Sequence, residues 1–248
     1  MTKIPATQGR SFPTTNLPSS SQTSTSAASC GYRDGLNPAR WTGNLDAALP
    51  KASKVAPVRH HAAVGVKDVP SFMERLRLQE GAGARALEFA VLTAARSGEV
   101  RGASWSEIDL KAALWTIPAA RMKSGREHRV PLSRPAIQLL RSLPGDRPPE
   151  GHVFPGMRGP LSDMSLTAVL RRMNVAATAH GFRSTFRDWV SEHTEYSGEV
   201  AEMALSHAIG DKVEAAYRRG DLLAKRGALM TDWASFLKGS RKAGRNAT

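Results

Sequence analysis

Apolar and polar residues alternate with regular periods only from about Asp68 onward. Asp68 is a predicted helix N-cap, and Pro70 falls in the first helical turn that follows it. The next segment, ARALEFAVLTAAR, is apolar on nearly every side, which predicts a buried helix that ends near Arg96. Further segments with helical spacing begin after Ser133, near Asp163 and near His180, and a last amphipathic helix carries Leu229 and Trp233.

Three short segments between these helices have the composition of β-strands. They are rich in β-branched and aromatic residues and are separated by short polar breaks: WSEIDL, ALWTIPA and HRVPLS. They predict a small three-stranded antiparallel sheet in an α+β, mainly α-helical fold. The break RMKSGRE predicts a hairpin tip with Ser124 and Gly125 as turn residues. Position alone favours a solubilising role for Lys123 in this tip.

The remaining segments divide the chain into four predicted regions. Residues 1–35 are predicted to be a disordered tail, because 13 of the first 30 residues are Ser or Thr and no period of strand or helix is present. Residues 36–67 contain a short helical piece and a basic linker. Residues 68–238 form the compact domain, and residues 239–248 form a flexible basic tail. Four linker cations suit a DNA backbone or a solvated linker equally well: Lys51, Lys54, Arg59 and Lys67.

The formal net charge of +13 narrows the choice of partner. So large an imbalance favours a polyanion, nucleic acid before an anionic membrane surface, although a basic proteome would give the same composition. Cys30 is the only cysteine, which excludes an internal disulfide and a cysteine-based metal cluster. The sequence contains no apolar run near the roughly 20 residues of a membrane span.

Candidate chemistry is concentrated between residues 180 and 219. This helix-rich stretch contains His180, Arg183, His207 and Tyr217. The two residues His180 and Arg183 stand three apart at a predicted helix start and therefore share a face. Each of the four has an ordinary structural explanation when taken singly, such as a hydrogen-bonded core histidine or tyrosine.

As a set, these residues match the requirements of phosphodiester cleavage without a metal. Arg96 and Arg183 offer planar forks that match two phosphate oxygens. Tyr217 offers a nucleophile whose phenol gains acidity beside cations. His180 is a candidate base or hydrogen-bond partner for that phenol, and Lys123 is a candidate acid for the leaving alkoxide. The scheme uses no metal and no cofactor.

Several motifs resemble those of one known family. They are AARSGEV, the hairpin lysine Lys123, HGFRSTF, ALSHAIGDKVEAAYRR and ALMTDWASFL. Together they resemble the catalytic domain of tyrosine recombinases, also called phage integrases, and are most similar to satellite-phage-type prophage integrases. The resemblance covers residues 36–237. It implies site-specific DNA recombination, as in prophage integration and excision, by strand cleavage and rejoining through a 3′-phosphotyrosyl intermediate.

The resemblance also implies a role for each matching residue. The implied active-site residues are Arg96 as the first arginine, Glu99 as its acidic support, Lys123 as the proton donor to the leaving 5′-oxygen, His180 and Arg183 as the HxxR pair, His207 as the later histidine that binds the scissile phosphate, and Tyr217 as the nucleophile. The implied partners are double-stranded attachment-site DNA and three further copies of the chain in a tetramer on that DNA. In isolation we expect a monomer, located in the bacterial cytoplasm at the nucleoid.

The chain departs from the family pattern at its N-terminal end. Only the tail of a core-binding domain, over residues 36–50, is recognisable, so we expect an N-terminally truncated member. An alternative is a DNA-binding remnant that does not recombine DNA, or a partner of a full-length integrase. Topoisomerase-like relaxation of DNA is a variant of the same chemistry.

Overall fold

The computed structural model describes residues 62–207 and 221–239, together with Asn37, Arg40 and Leu45. Contacts divide the chain into two units, Met1–Arg59 and His60–Thr248. The disorder predicted for residues 1–35, the linker cations Lys51, Lys54 and Arg59, and the nucleophile predicted at Tyr217 all fall outside the described residues. The predicted domain boundaries stay predictions.

The described part of the second unit is mainly helical. Its α-helices are α1 (Val69–Arg77), α2 (Ala82–Thr93), α3 (Ser97–Arg101), α4 (Arg134–Ser142), α5 (Ser165–Arg172), α6 (Gly181–His193), α7 (Gly198–Ala204) and α8 (Leu223–Phe236). Within these ranges, no helix combines the length and the apolarity needed to cross a membrane.

The predicted three-stranded antiparallel sheet is confirmed. Its strands are β1 (Ile108–Asp109), β2 (Leu114–Ile117) and β3 (His128–Pro131), in the order β1-β2-β3. The register places Trp115 opposite Ile108 on one side and Val130 on the other. A separate two-stranded hairpin joins β4 (Pro155–Gly156) to β5 (Gly159–Pro160).

The sequence prediction of a first strand over WSEIDL was too long. Trp105–Glu107 is a 3-10 turn, and only the two residues after it pair with β2. The turn directs the Glu107 carboxylate toward Trp115, whose Nε1 donates to it at 3.0 Å. A side-chain hydrogen bond therefore replaces strand pairing at this end of the sheet.

Helix α2 lies at the centre of the core, as its all-round apolar pattern predicted. It contacts α1, α3, α4, α5 and α8, and Phe89 packs against the rings of Trp115 and Phe154 at centroid distances of 5.3 and 5.5 Å. Trp233 of α8 donates from Nε1 to the carbonyl of Val91 at 2.8 Å. Because that bond is buried, it fixes the position of α8 along the axis of α2.

The helix starts differ in detail from the sequence prediction. Asp68 and Ser133 occupy the N-cap positions of α1 and α4, but neither makes a side-chain cap hydrogen bond. At α1 a 3-10 turn, Val66–Asp68, runs directly into the helix. The carbonyl of Gly65 accepts from the amides of Asp68 and Val69, which replaces the side-chain cap.

The chain enters the second unit along the start of α6. The carbonyl of Ala62 accepts from the amide of Thr178 at 2.9 Å, and the Thr185 hydroxyl donates to the carbonyl of Val64 at 2.6 Å. A Cβ at Gly181 would lie 2.1 Å from the Ala62 oxygen. Only glycine permits this close approach, which fixes the turn where His180 begins α6.

We expect Gly181→Ala to lower the free energy of unfolding by about 1–3 kcal/mol, because the added methyl group must displace the Ala62 carbonyl. Because that carbonyl accepts from the Thr178 amide, its displacement should also speed hydrogen exchange of this amide, measured by mass spectrometry. Gly198→Ala is the matched control, since its Cβ would meet nothing within 4 Å. A Thr178 amide that stays as protected in Gly181→Ala as in the control would contradict this prediction.

Candidate active site

Arg96 is held at the start of α3 by Glu99. Helix α2 ends at Thr93, and Ala94 adopts a left-handed conformation (φ 51°) that turns the chain toward Arg96. Arg96 is the N-cap of α3. Glu99 accepts from the Arg96 amide at 2.9 Å and from its Nη1 at 2.7 Å. Glu99 is only 6% exposed, so this double contact fixes the guanidinium in one orientation.

Arg183 projects from α6 into the interior and is 3% exposed. Its Nη1 donates to the carbonyl of Ala94 and its Nη2 to that of Leu205, both at 2.6 Å. Burial and the nearby charge of Arg96 lower the pKa of the Arg183 guanidinium to about 10, while Glu99 opposes that shift. Arg183 therefore remains a cation at neutral pH although it is almost enclosed.

Both arginines meet at the turn that follows α7. The Leu205 carbonyl accepts from Arg183, and the Ser206 carbonyl accepts from Arg96 Nη2 at 3.1 Å. Ser206 has a left-handed backbone (φ 51°), which lets successive carbonyls face different donors. These carbonyls lie at the negative end of α7, where a helix favours positive charge.

A half-buried histidine of β3 contacts the same turn. His128 hydrogen-bonds to the carbonyl of Ala204, and burial together with the charge of Arg226 lowers its pKa to about 4. His128 is therefore neutral at physiological pH. It adds a third hydrogen bond to three consecutive carbonyls, Ala204–Ser206, without adding charge beside the arginines.

His207 follows immediately and bridges Arg183 to a carboxylate. Its Nε2 lies 3.0 Å from Arg183 Nη2, and its Nδ1 lies 2.6 Å from the Glu202 carboxylate. Because arginine only donates and a carboxylate only accepts, both contacts are satisfied by a neutral ring protonated at Nδ1. Burial opposes ionisation of Glu202, yet hydrogen bonds from Arg187 and His207 lower its pKa below the usual value.

Lys123 and His180 share a surface cleft with Arg96. The cleft has a volume of about 470 Å³, and its lining residues are Arg96, Ser97, Gly98, Glu99, Arg101, Arg121, Lys123, Asp163 and His180. Lys123 is exposed on the β2–β3 connection, and His180 is exposed at the N-cap of α6. Arginine and lysine side chains outnumber the carboxylates in this lining by four to two. Such a cleft is suited to an anion.

The structure thus gathers six of the predicted site residues in two connected groups. Arg96, Glu99, Lys123 and His180 line the cleft. Arg183 and His207 contact each other, and Arg183 and Arg96 donate to the adjacent carbonyls of Leu205 and Ser206 respectively. Tyr217 lies outside the described residues, as do Lys51, Lys54 and Arg59. Lys67 is exposed in the 3-10 turn before α1.

Sequence reasoning missed several residues of this region. One of them is Glu202, which contacts His207. Its position five residues before His207, at the end of a predicted helix, was the signal in the sequence for this contact. Arg101 donates to the carbonyl of Leu161 at 2.9 Å and pairs with Asp163 at the cleft edge. Arg121 ion-pairs with Glu107. No periodicity marks either pair, because their members are far apart in sequence.

A second tyrosine of the chain has a different environment. The Tyr196 hydroxyl donates to Asp232 at 2.7 Å, and this hydrogen bond raises its pKa to about 12. A phenol with so high a pKa is a poor nucleophile. Within the described residues, no group of three or more His, Cys, Asp or Glu side chains is placed to hold a metal ion.

The family model described as "Phage integrase family" matches residues 66–221, more than half of the chain. The chain belongs to the phage integrase family. The match includes every residue of the candidate site, Tyr217 among them, and the resemblance inferred from the sequence motifs is confirmed. The fold is that of tyrosine recombinase catalytic domains.

Curated relatives give the same assignment. Prophage integrase IntZ of Escherichia coli K12 is 35% identical over 204 residues, which cover 79% of this chain and 50% of IntZ. The integrase of Enterobacteria phage P4 is 33% identical over 205 residues, covering 74% of this chain and 47% of that integrase. The chain therefore spans about half the length of these curated relatives.

Solved structures share the fold. An integrase from mycobacterium phage Brujita superposes with a TM-score of 0.55 at 20% identity, over 84% of this chain and 66% of that one. A lambda integrase (75–356) dimer bound to a COC′ core site gives a TM-score of 0.51 at 19% identity, over 81% of this chain and 70% of that one. At such identities the likeness is one of fold.

We expect Glu99→Ala to lower the free energy of unfolding by about 2–3 kcal/mol, because it removes the cap of α3 and the charge partner of Arg96. Glu99→Gln keeps an oxygen acceptor and should cost about 1 kcal/mol. Urea unfolding at neutral pH measures both. Glu80→Ala, at an exposed acid, is the control, with an expected change under about 0.5 kcal/mol. A Glu99→Ala value as small as the control would refute the bracing role.

Proposed function

We propose that this chain cleaves and rejoins DNA strands through a covalent phosphotyrosyl intermediate on Tyr217. The observation that carries the proposal is the attachment of Arg96 and Arg183 to one turn, 205–207, that also presents His207. Two fixed cations and a histidine form a preorganised site for one phosphate. Lys123 and His180 add proton-transfer groups in the cleft that Arg96 lines.

The phosphate is held by charge and by hydrogen bonds. The Arg96 side chain is 26% exposed and faces the cleft, so it supplies direct contact, while the enclosed Arg183 supplies charge and orients His207. In the described contact, His207 Nε2 accepts from Arg183. When Nε2 carries a proton, it donates a hydrogen bond to a phosphate oxygen instead. Each such donor is worth about 3–4 kcal/mol in the transition state.

In the cleavage step, the phenol oxygen of Tyr217 attacks phosphorus and the bond from phosphorus to the 5′-oxygen breaks. His180 accepts or orients the phenol proton, and Lys123 donates a proton to the leaving 5′-oxygen. Each positioned proton-transfer group contributes about 10²–10⁴ in rate. Rejoining reverses the step, because a 5′-hydroxyl attacks the 3′-phosphotyrosyl bond and releases the phenol. The covalent bond conserves the energy of the broken phosphodiester.

The corresponding biological reaction is site-specific recombination, as in prophage integration or excision. Its support is membership of the phage integrase family and the names of the relatives. Double-stranded attachment-site DNA is the proposed substrate. A tetramer of the chain on paired sites, with a monomer in isolation, is the proposed assembly.

A second candidate function is DNA binding without recombination, alone or with a full-length integrase. It is motivated by the overlap of the chain with only about half the length of its curated relatives. Both functions predict that DNA affinity falls steeply with salt. Only the enzymatic function requires Tyr217.

The deciding measurement is covalent capture on a nicked duplex taken from the ends of the genetic element that carries this gene. Cleavage next to the nick releases a short fragment, so the covalent complex accumulates and is resolved on a denaturing gel. We expect capture by the wild type and by Tyr196→Phe, the matched control at the other tyrosine described above. We expect Tyr217→Phe to form at least about 10³-fold less covalent complex than the wild type. Equal capture by Tyr217→Phe, or none by the wild type, would exclude the enzymatic function.

A further inference from the structure

Arg121, one of the residues that line the cleft, forms an ion pair with Glu107 that the proposed function does not use. It lies at the end of the 3-10 turn Ala119–Arg121. Both carboxylate oxygens of Glu107 accept from its Nη1, and the main-chain carbonyl of Glu99 accepts from its Nη2 at 2.5 Å. We call this set of contacts the Arg121 brace.

The brace has a support on each side of the guanidinium. Glu107 is 8% exposed as a side chain and is fixed by Trp115 Nε1 of β2 at 3.0 Å. On the other side, Arg121 packs over Gly102, where a Cβ would lie 2.9 Å from its Nη2. A guanidinium with a carboxylate, a carbonyl and a glycine surface around it has little freedom to move.

The brace lies directly before Lys123 in the chain. Met122, the residue between them, is buried, whereas the five residues from Lys123 to Glu127 are exposed. The carbonyl of Met122 accepts from the amide of Gly125, which has a left-handed backbone (φ 64°). The direction in which the exposed turn leaves the sheet is thus set at Arg121 and Met122.

The same brace also reaches the Arg96 side of the cleft. The carbonyl that accepts from Arg121 belongs to Glu99, whose side chain holds Arg96. One guanidinium therefore joins the turn that carries Lys123 to the helix that carries the Arg96–Glu99 pair.

We propose that Arg121, held by Glu107, is a positioning residue that keeps Lys123 within proton-transfer distance of the leaving 5′-oxygen. This inference rests on the proposed function, in which Lys123 is the acid. Proton transfer requires an approach of about 2.6–3.2 Å between heavy atoms. A displacement of about 1 Å at such a site reduces the rate about 10²-fold. A lysine on an exposed turn needs an anchor close by to hold that distance.

A sulfur substitution separates this role from a general loss of structure. In a nicked duplex whose bridging 5′-oxygen is replaced by sulfur, the leaving group departs as a thiolate. A thiol has a pKa near 8.5 and needs no proton to leave. The sulfur substrate therefore bypasses the acid, whereas it still needs Tyr217, Arg96 and Arg183. Single-turnover cleavage rates of full-length variants are compared on the oxygen and sulfur substrates.

We expect Arg121→Ala to cleave the oxygen substrate about 10²-fold more slowly than the wild type and the sulfur substrate within about 3-fold of it. Because Arg121→Ala leaves Glu107 buried without its partner, the milder Glu107→Gln is measured as well. It keeps an acceptor for Trp115 and should show a smaller loss, again on the oxygen substrate alone. Adding Arg121→Ala to Lys123→Ala should slow the oxygen reaction no further, because both act on one step.

Arg126→Ala is the matched control. It removes one positive charge from the same exposed turn, and no contact of the brace involves it. Any loss of DNA affinity that it causes should affect the oxygen and sulfur substrates equally.

Two results would overturn the inference, and they differ in what they say of the proposed function. In the first result, Arg121→Ala and Glu107→Gln reduce the cleavage rate equally on both substrates, while the sulfur substrate restores the rate of Lys123→Ala. This result would refute the positioning role of Arg121 and leave the acid role of Lys123 in place. Failure of sulfur to restore Lys123→Ala would remove Lys123 from the acid role and the inference with it. Covalent capture through Tyr217 would still stand in that case.

Discussion

The candidate site depends on one electrostatic constraint, the close placement of two arginines in a partly buried position. Burial and the nearby charge of Arg96 together lower the pKa of the Arg183 guanidinium, so the two like charges oppose each other there. The opposition is offset by Glu99, which accepts from Arg96, and by two adjacent carbonyls, since that of Leu205 accepts from Arg183 and that of Ser206 accepts from Arg96. These acceptors fix the cations without neutralising both, so the site retains positive charge for an anion. In the proposed function, that anion is the phosphate of the cleaved strand.

The rest of the fold is arranged so that these parts meet. The buried helix α2 ends at Thr93, and the carbonyl of the next residue, Ala94, accepts from Arg183, while the left-handed turn at Ala94 leads to Arg96. Helix α6 brings Arg183 inward because Phe186 and Trp189, on the same helix, pack into the core against Trp233. Trp233 in turn binds α2 through its indole nitrogen. Core packing and site geometry are therefore one set of contacts, and a shift of α6 would move the guanidinium.

The sequence predicted the parts of this arrangement that have a local signature. The apolar periodicity of α2, the three strands and the motif that holds His180 and Arg183 were all visible. The acceptors were not, because every residue has a carbonyl and only the fold selects those of Ala94, Leu205 and Ser206. Arg121 and Glu107 likewise lie 14 positions apart and meet only through the sheet. Position alone made Lys123 a solubilising turn residue, the set of residues and the family resemblance made it a candidate acid, and the structure places it in one cleft with Arg96.

The proposed phosphate-binding groups and the proposed acid are held in place by different kinds of contact. Arg183 is enclosed by main-chain carbonyls, so its position follows from the fold itself and changes only if the core changes. Lys123 stands on an exposed turn, and side-chain contacts behind it set its direction. The position of Arg183 therefore resists substitutions outside the core, whereas the position of Lys123 can be altered without unfolding the protein. In the proposed mechanism the phosphate stays in place throughout, while the leaving oxygen departs and a new one arrives. An arginine enclosed by the fold suits the phosphate that stays, and the Arg121 brace suits an acid that must meet each 5′-oxygen at the same distance.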